Sequence, residues 1–155
     1  MTSDLFAKNY NRALRFLSFR PRSKKEIFDY FLKKEINERL AEEIIQKLEK
    51  EKFVNDDEFA KWFIESRVTS RPKSHRVIKM ELKHKGIDVD KIETLLANTT
   101  DDAVLAKKLV EKKLRVMKNV PIEKKKERLV RYLSTRGFDW STIRSVIDEV
   151  GAEIV

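Results

Sequence analysis

The sequence predicts an all-α protein, built from three tandem three-helix repeats that form an elongated, curved array. A helical segment around Ala13 recurs around Ala60 and Ala106, at intervals of 47 and 46 residues. Within each segment, apolar residues recur at the three- and four-residue spacing of a buried helix stripe. The 155 residues include only three glycines and three prolines, which disfavours β-rich and disordered chains. A repeat of this period is typical of stacked helical units, which offer an extended surface for binding.

The first repeat is assigned to residues 1–54. Its apolar pattern predicts three helices, at about Leu5–Phe19, from about Lys24, and at about Glu38–Lys52. Ser23 and Glu26 have the spacing of a capping box, in which each side chain binds the backbone N–H of the other residue. The second helix is therefore expected to begin directly after Ser23.

The second repeat is assigned to residues 55–98. Asn55 is a favourable N-cap, and the three acidic residues that follow it suit the first turn of a helix that runs to about Val68. Pro72 forces a break, after which helix five is expected to begin near Ser74 and to end at Gly86. Asp88 is the predicted N-cap of helix six.

The third repeat is assigned to residues 99–155 and is about five residues longer than the second between corresponding positions. Its first helix is expected to run from Asp101-Asp102 to about Met117, and Pro121 suits the first turn of helix eight. Helix eight should end at Gly137, and Asp139 should cap helix nine. We expect the extra residues to lie in Arg115–Val120.

Composition and motifs favour a binding protein over an enzyme. There is no cysteine, so disulfides and thiolate metal sites are excluded, and we expect no metal and no cofactor. Asp56-Asp57-Glu58 is explained by helix-start chemistry, and His75 and His84 lack a matching set of metal ligands. No catalytic motif is present, so no catalytic residue is assigned. Trp62 is expected in the core, as opposed to a base-stacking platform, and Trp140 is expected to be partly exposed.

No apolar run approaches the roughly 18 residues that a membrane span needs, and the N-terminus lacks a signal-peptide pattern. These features predict a cytoplasmic protein, with no membrane association, and we expect a monomer.

Positive charge is concentrated in two stretches. The net charge is +9 overall, and residues 37–65 carry a local −4, residues 66–85 a local +6 and residues 107–136 a local +9. Such concentration suggests a polyanionic partner, most often nucleic acid, although solvated lysine-rich helix faces are the plain alternative.

Ten basic residues are the candidates for contact with that partner. Six surround helix five, where arginines and free backbone N–H groups together suit phosphate binding: Arg67, Arg71, Lys73, Arg76, Lys79 and Lys83. Four lie in the third repeat, in pairs spaced one helical turn apart: Lys108, Lys112, Lys124 and Arg128. Lysine-rich surfaces attract a phosphate backbone without identifying bases, so we expect no sequence specificity from the second group.

The chain resembles the RecX family, bacterial regulators of the recombinase RecA. Besides the triplicated plan, the resemblance rests on three blocks: Asn55–Ala60, Arg76–Ile87 and Tyr132–Phe138 followed by Ile143. It implies a non-enzymatic protein that binds RecA–single-stranded DNA filaments along their groove and modulates filament growth, ATP hydrolysis and strand exchange. Inhibition is the usual family behaviour, and family members also bind single-stranded and double-stranded DNA directly.

The resemblance also carries over to residues. Arg67, Arg71, Lys73 and Arg76 match the positions that it implies for contact with the filament or DNA. The chain departs from the family pattern at Pro72–His75, where a glycine is usual, and in the first repeat, which lacks the glycine that ends the second helix elsewhere.

Two rival functions stay open at this point. One is a general nucleic-acid-binding helical repeat without a recombinase partner, and the other is a helical scaffold for acidic proteins. The direction of regulation and the division of the basic residues between DNA and protein are also open.

Overall fold

The computed structural model describes the backbone of residues 2–154 and the side chains of residues 4–151. Over these residues the chain is entirely helical between its turns, in agreement with the predicted class. The helices fall into three sets of three: α1 Thr2–Phe19, α2 Lys24–Lys33, α3 Glu38–Lys50, α4 Asp56–Thr69, α5 His75–His84, α6 Val89–Ala97, α7 Asp102–Arg115, α8 Ile122–Thr135 and α9 Trp140–Ile154.

Local capping explains why several helices begin where they do. The predicted capping box of α2 is confirmed: the Glu26 N–H donates to Ser23 Oγ at 3.1 Å, and the Ser23 N–H donates to Glu26 Oε1 at 3.2 Å. Asn37 caps α3 through the N–H of Arg39, at 2.8 Å. These contacts satisfy N–H groups that the helix itself leaves without partners.

The second helix of every repeat ends in the same way, on a residue in the left-handed region. This residue is Glu35 after α2, Gly86 after α5 and Gly137 after α8, with φ of 59°, 81° and 90°. The next residue then donates its N–H to a carbonyl five positions back, in Ile36–Phe31, Ile87–Leu82 and Phe138–Leu133, at 3.0, 3.1 and 3.2 Å. The first repeat therefore keeps the backbone motif without its glycine.

The extra length of the third repeat lies mainly within α8. This helix has 14 residues, against 10 in both α2 and α5. The connector before α8, residues 116–121, is only one residue longer than residues 70–74 before α5. The prediction that placed the insertion in Arg115–Val120 is therefore wrong for most of it. A helix begins directly after Pro121, and the lysine- and glutamate-rich segment that follows can extend it by a turn.

The chain divides into two compact units, each with its own core. Unit 1 comprises Met1–Phe63 and Leu82–Ile92, and unit 2 comprises Ile64–Glu81 and Glu93–Val155. The core of the first repeat includes six fully buried side chains: Ala13, Ile27, Phe31, Ala41, Ile44 and Leu48. The core of the third repeat includes five: Leu105, Ala106, Val110, Leu129 and Leu133. The units divide α4, α5 and α6, so packing leaves the boundaries 1–54, 55–98 and 99–155 as predictions.

Among the described residues, no helix has the length and apolar character that crossing a membrane requires.

Candidate nucleic-acid interface

The basic cluster of the second repeat is partly neutralised within the protein. Glu81 on α5 accepts hydrogen bonds from Arg67 Nε at 2.8 Å and from Lys73 Nζ at 2.7 Å. Burial alone would raise the pKa of Glu81, but the hydrogen bonds from Lys73 and Arg67 outweigh it and hold that pKa below its usual value. The three side chains, each less than one third exposed, join the end of α4 to α5. Arg67 and Lys73 thus stabilise the fold and offer little free charge to a partner.

Three backbone N–H groups at the N-terminus of α5 already donate to acceptors within the protein, which leaves fewer of them for a phosphate than the sequence-based expectation assumed. The His75 N–H donates to Asp102 Oδ1 at 2.8 Å, and the Val77 N–H donates to Ser74 Oγ at 3.3 Å. The Ser74 N–H donates to the carbonyl of Arg136 at 3.1 Å. The sequence could not show that acceptors from the third repeat occupy this helix end.

The remaining candidates around α5 fall into two groups. Lys79 forms an ion pair with Glu93 at 2.7 Å, and Arg76 donates to the carbonyl of Gly137 at 3.3 Å. Arg71 and Lys83 are exposed and have no ion-pair partner among the described side chains. Arg71 and Lys83 thus combine exposure with the absence of any ion pair among the described side chains, whereas the exposed Arg76 keeps its charge but is held by a backbone carbonyl.

A carboxylate contact between successive repeats recurs at α2 and escaped the sequence-based analysis. Asp56 Oδ1 accepts the N–H of Lys24 at 2.9 Å, as Asp102 Oδ1 accepts that of His75. In both cases the first residue of a repeat's first helix, α4 or α7, caps the second helix of the repeat before it. The acidic residues had been explained by their own helix start. Their 46-residue spacing was the available hint of a second role.

The third repeat carries the concentrated charge that stays unpaired. Its four predicted residues, Lys108, Lys112, Lys124 and Arg128, are all exposed, and none has an ion-pair partner among the described side chains. Three more basic residues of this stretch share these properties, namely Arg115, Lys118 and Lys126.

Few basic residues of this stretch are occupied elsewhere. Lys107 pairs with Glu149 at 2.8 Å and Arg131 pairs with Glu127 at 3.3 Å. Lys113 and Arg136 lie over the ring of Tyr132, at 5.0 and 4.5 Å from its centroid. The exposed cations that are left suit electrostatic attraction to a phosphate backbone.

Trp62 is less buried than the sequence-based analysis expected. It packs against Phe59 and is half-buried, and it lines an open cleft of about 1090 Å³ in unit 1, together with Leu14, Leu17 and Phe53. Trp140 is 62% exposed, in agreement with expectation. No cluster of His, Asp and Glu that could hold a metal ion occurs among the residues described, where His75 Nε2 bonds instead to the carbonyl of Thr100 at 2.7 Å.

Comparison with known families matches each repeat in turn. RecX, first three-helix domain, matches residues 10–48; RecX, second three-helix domain, matches residues 55–96; and RecX, third three-helix domain, matches residues 100–147.

Curated relatives agree with this assignment. The chain is 37% identical over 149 residues to Regulatory protein RecX of Oceanobacillus iheyensis, which covers 95% of this chain and 55% of the relative. It is 38% identical over 148 residues to that of Bacillus pumilus, with 94% and 56% covered. It is 36% identical over 152 residues to that of Bacillus subtilis, with 97% and 58% covered. The chain thus spans a little over half the length of these relatives.

Two crystal structures share the fold. RecX from Lactobacillus salivarius superposes with a TM-score of 0.74 at 30% identity, over 97% of this chain and 99% of that one. Another structure of regulatory protein RecX superposes with a TM-score of 0.75 at 29% identity, over 95% of this chain and 75% of that one. Since all three domains match in order, and the relatives match nearly the whole chain, this chain belongs to the RecX family of regulatory proteins.

Proposed function

We propose that this chain is a non-enzymatic regulator that binds RecA–single-stranded DNA filaments in the cytoplasm. It modulates, in the inhibitory direction, filament growth, ATP hydrolysis and strand exchange, and so acts in recombination, DNA repair and the SOS response to DNA damage. Its relatives are named regulatory proteins, and it shares their helical-repeat fold, both of which support a role without catalysis.

The observation that carries this proposal is the unpaired charge of the third repeat in a chain of this family. Lys108, Lys112, Lys124 and Arg128 are exposed and lack carboxylate partners among the described residues, so a polyanion meets no internal competitor for them. In such a contact each phosphate releases bound counterions, which makes binding strongly dependent on salt. We assign these four residues to the DNA, and the exposed Arg71 and Lys83 to the filament.

Titration of the protein into RecA ATP hydrolysis on excess single-stranded DNA tests the proposal. We expect hydrolysis to slow at amounts well below the RecA concentration, because excess DNA prevents an effect by sequestration. Unchanged hydrolysis across the titration would remove the regulatory function.

A matched pair of variants tests the assignment of residues. The quadruple alanine variant of Lys108, Lys112, Lys124 and Arg128 should slow hydrolysis less than the unaltered chain. The control replaces four exposed basic residues of the first repeat, Lys8, Arg15, Lys33 and Lys50, so that net charge falls equally. Equal loss of effect in the two variants would indicate that total charge matters, and that the positions of these four third-repeat residues do not.

The same unpaired charge favours a second function, a general nucleic-acid-binding helical repeat without a recombinase partner. This alternative predicts tight, salt-sensitive DNA binding and an effect on RecA only through competition for limiting DNA. The effect would then disappear when DNA is in excess.

A further inference from the structure

The connector between α7 and α8, residues 116–121, is anchored to the core. Met117 is only 4% exposed and belongs to the buried cluster of the third repeat, and Val120 packs against the same cluster. The N–H groups of these two residues donate to the carbonyls of Leu114 and Met117, at 3.1 and 3.2 Å. The backbone of the turn is therefore held in place from within.

This anchored turn also exposes aliphatic side chains. Val116 at its start is 76% exposed, and Ile122 directly after its end is 43% exposed. The corresponding connectors, residues 20–23 and 70–74, contain no aliphatic residue other than proline. The first repeat instead exposes the aromatic Phe19, at 78%, directly before its connector, so the third repeat differs from it in exposing aliphatic side chains in the connector and directly after it.

Unpaired cations lie near both aliphatic residues. Arg115 directly precedes Val116 and Lys118 follows it by two positions, while Lys124 follows Ile122 by two positions, after the exposed Glu123. The three cations are exposed and have no ion-pair partner in the part of the chain that the structure describes, so residues 115–124 combine two exposed aliphatic side chains with three unpaired cations. A partner that offered only phosphates would use only the cations, and a partner that offered only an apolar groove would use only the aliphatic side chains.

We propose that residues 115–124, the α7–α8 tip, contact both the phosphates and the bases of single-stranded DNA. The cations Arg115, Lys118 and Lys124 bind phosphates, and Val116 and Ile122 pack against unstacked bases. The proposal rests on the DNA-binding side of the proposed function and adds a contact with bases to it. Single strands fit better than duplexes, since the faces of bases are open in a single strand, whereas a duplex must first be unstacked.

An anionic membrane would also attract cations, but the arrangement fits it less well. The apolar stripe of α8 is committed to the core, where Leu129 and Leu133 are fully buried. A helix that lies in a membrane interface needs such a stripe free to enter the lipid. Only the two aliphatic residues of the tip are available.

Binding of the full chain to a fluorescent single-stranded DNA 30-mer, without RecA, tests the inference. The double variant Val116→Ser and Ile122→Ser should bind about fivefold more weakly at every salt concentration, since small apolar contacts are lost and no charge changes. On an abasic strand of equal length, the variant and the unaltered chain should bind alike. The double variant Lys118→Ala and Lys124→Ala should instead reduce the salt slope by about 1.4, at about 0.7 per phosphate of a single strand.

Control variants and a second ligand complete the test. Val104→Ser and Met80→Ser alter apolar residues that are 45% and 60% exposed outside the tip, and they should leave DNA affinity unchanged. Equal affinity of the tip variant and the unaltered chain for the base-containing strand would overturn the inference. A tip variant that loses binding only to phosphatidylglycerol vesicles, and not to DNA, would overturn it as well.

The two proposals fail separately. If the tip variant binds bare DNA more weakly but still slows RecA hydrolysis, the base contact stands and filament regulation does not depend on it. If the unaltered chain binds DNA through the tip but has no effect on RecA, only the regulatory function is lost.

Discussion

The residue after the second helix of each repeat lies in the left-handed region, and substitutions at these three positions should change stability by different amounts. Glu35 adopts φ of 59° without the glycine that serves in the other repeats. A residue with a Cβ costs about 1 kcal/mol in this region, so Glu35→Gly should stabilise unit 1 by up to about that amount. Glu35 is exposed, so loss of its side chain should not offset the gain.

The reverse changes should destabilise, and to different extents. A Cβ on Gly137 would lie 2.1 Å from Val77 Cγ2 and 2.7 Å from Ser74 Oγ, at φ of 90°. A Cβ on Gly86, at φ of 81°, would lie 2.9 Å from Lys25 Cβ and 3.1 Å from Lys25 Cδ, so the steric overlap is smaller than at Gly137. Adding steric and backbone costs, we expect Gly137→Ala to destabilise unit 2 by about 3 kcal/mol, and Gly86→Ala to destabilise unit 1 by about 2 kcal/mol.

The two tryptophans allow each unit to be followed by itself. Trp62 lies in unit 1 and Trp140 in unit 2. Urea unfolding in Trp140→Phe and Trp62→Phe backgrounds would therefore report the units one at a time, with circular dichroism as a check on total helix content. Separate probes are needed because two units need not unfold in one transition.

Two outcomes would contradict these expected stability changes. If Glu35→Gly lowers the urea midpoint of unit 1, its positive φ is not a source of strain. If Gly137→Ala costs no more than Gly86→Ala, the close approach to Val77 and Ser74 does not restrict residue 137.

Three further predictions concern charge and the contacts between repeats. Burial would raise the pKa of Glu81, but its two hydrogen-bonded cations lower that pKa below the ordinary 4.5. The stability that Glu81 contributes to the fold is therefore complete above pH 4.5 and is lost as pH falls through the folded-state pKa. Glu81→Gln should therefore flatten the acid-induced loss of stability of unit 2, and an unchanged pH profile of Trp140 fluorescence would contradict this. Asp102→Ala should destabilise unit 2 by about 1 kcal/mol, because a helix cap is lost, and Asp56→Ala should destabilise unit 1 by a similar amount for the same reason. Urea midpoints equal to those of the parent chain would contradict this capping role. Arg71→Ala should weaken binding to RecA filaments in a sedimentation assay and leave the urea midpoint unchanged, whereas Lys73→Ala should lower that midpoint; the opposite pattern would reverse the two assignments.

Part of this protein could be predicted from its sequence, because the relevant forces act between near neighbours. Apolar spacing sets which face of a helix is buried, and Ser23, Asn55 and Gly137 act within four residues of themselves. The all-helical class and the three-by-three plan follow from these local rules. The extension of α8 was missed because lysine- and glutamate-rich sequence suits a helix and a solvated connector alike.

The sequence shows where positive charge is concentrated, whereas the packing of the helices sets which of those charges are free. Glu81 pairs with Arg67 and Lys73 across 14 and 8 residues, and Glu93 pairs with Lys79 across 14. Such pairs depend on how helices pack, which charge counts along the chain do not contain. The same holds for Asp102, whose carboxylate closes a helix end 27 residues away. Ion pairs and caps act over a few ångströms in space, so they become visible only when the fold has brought distant residues together.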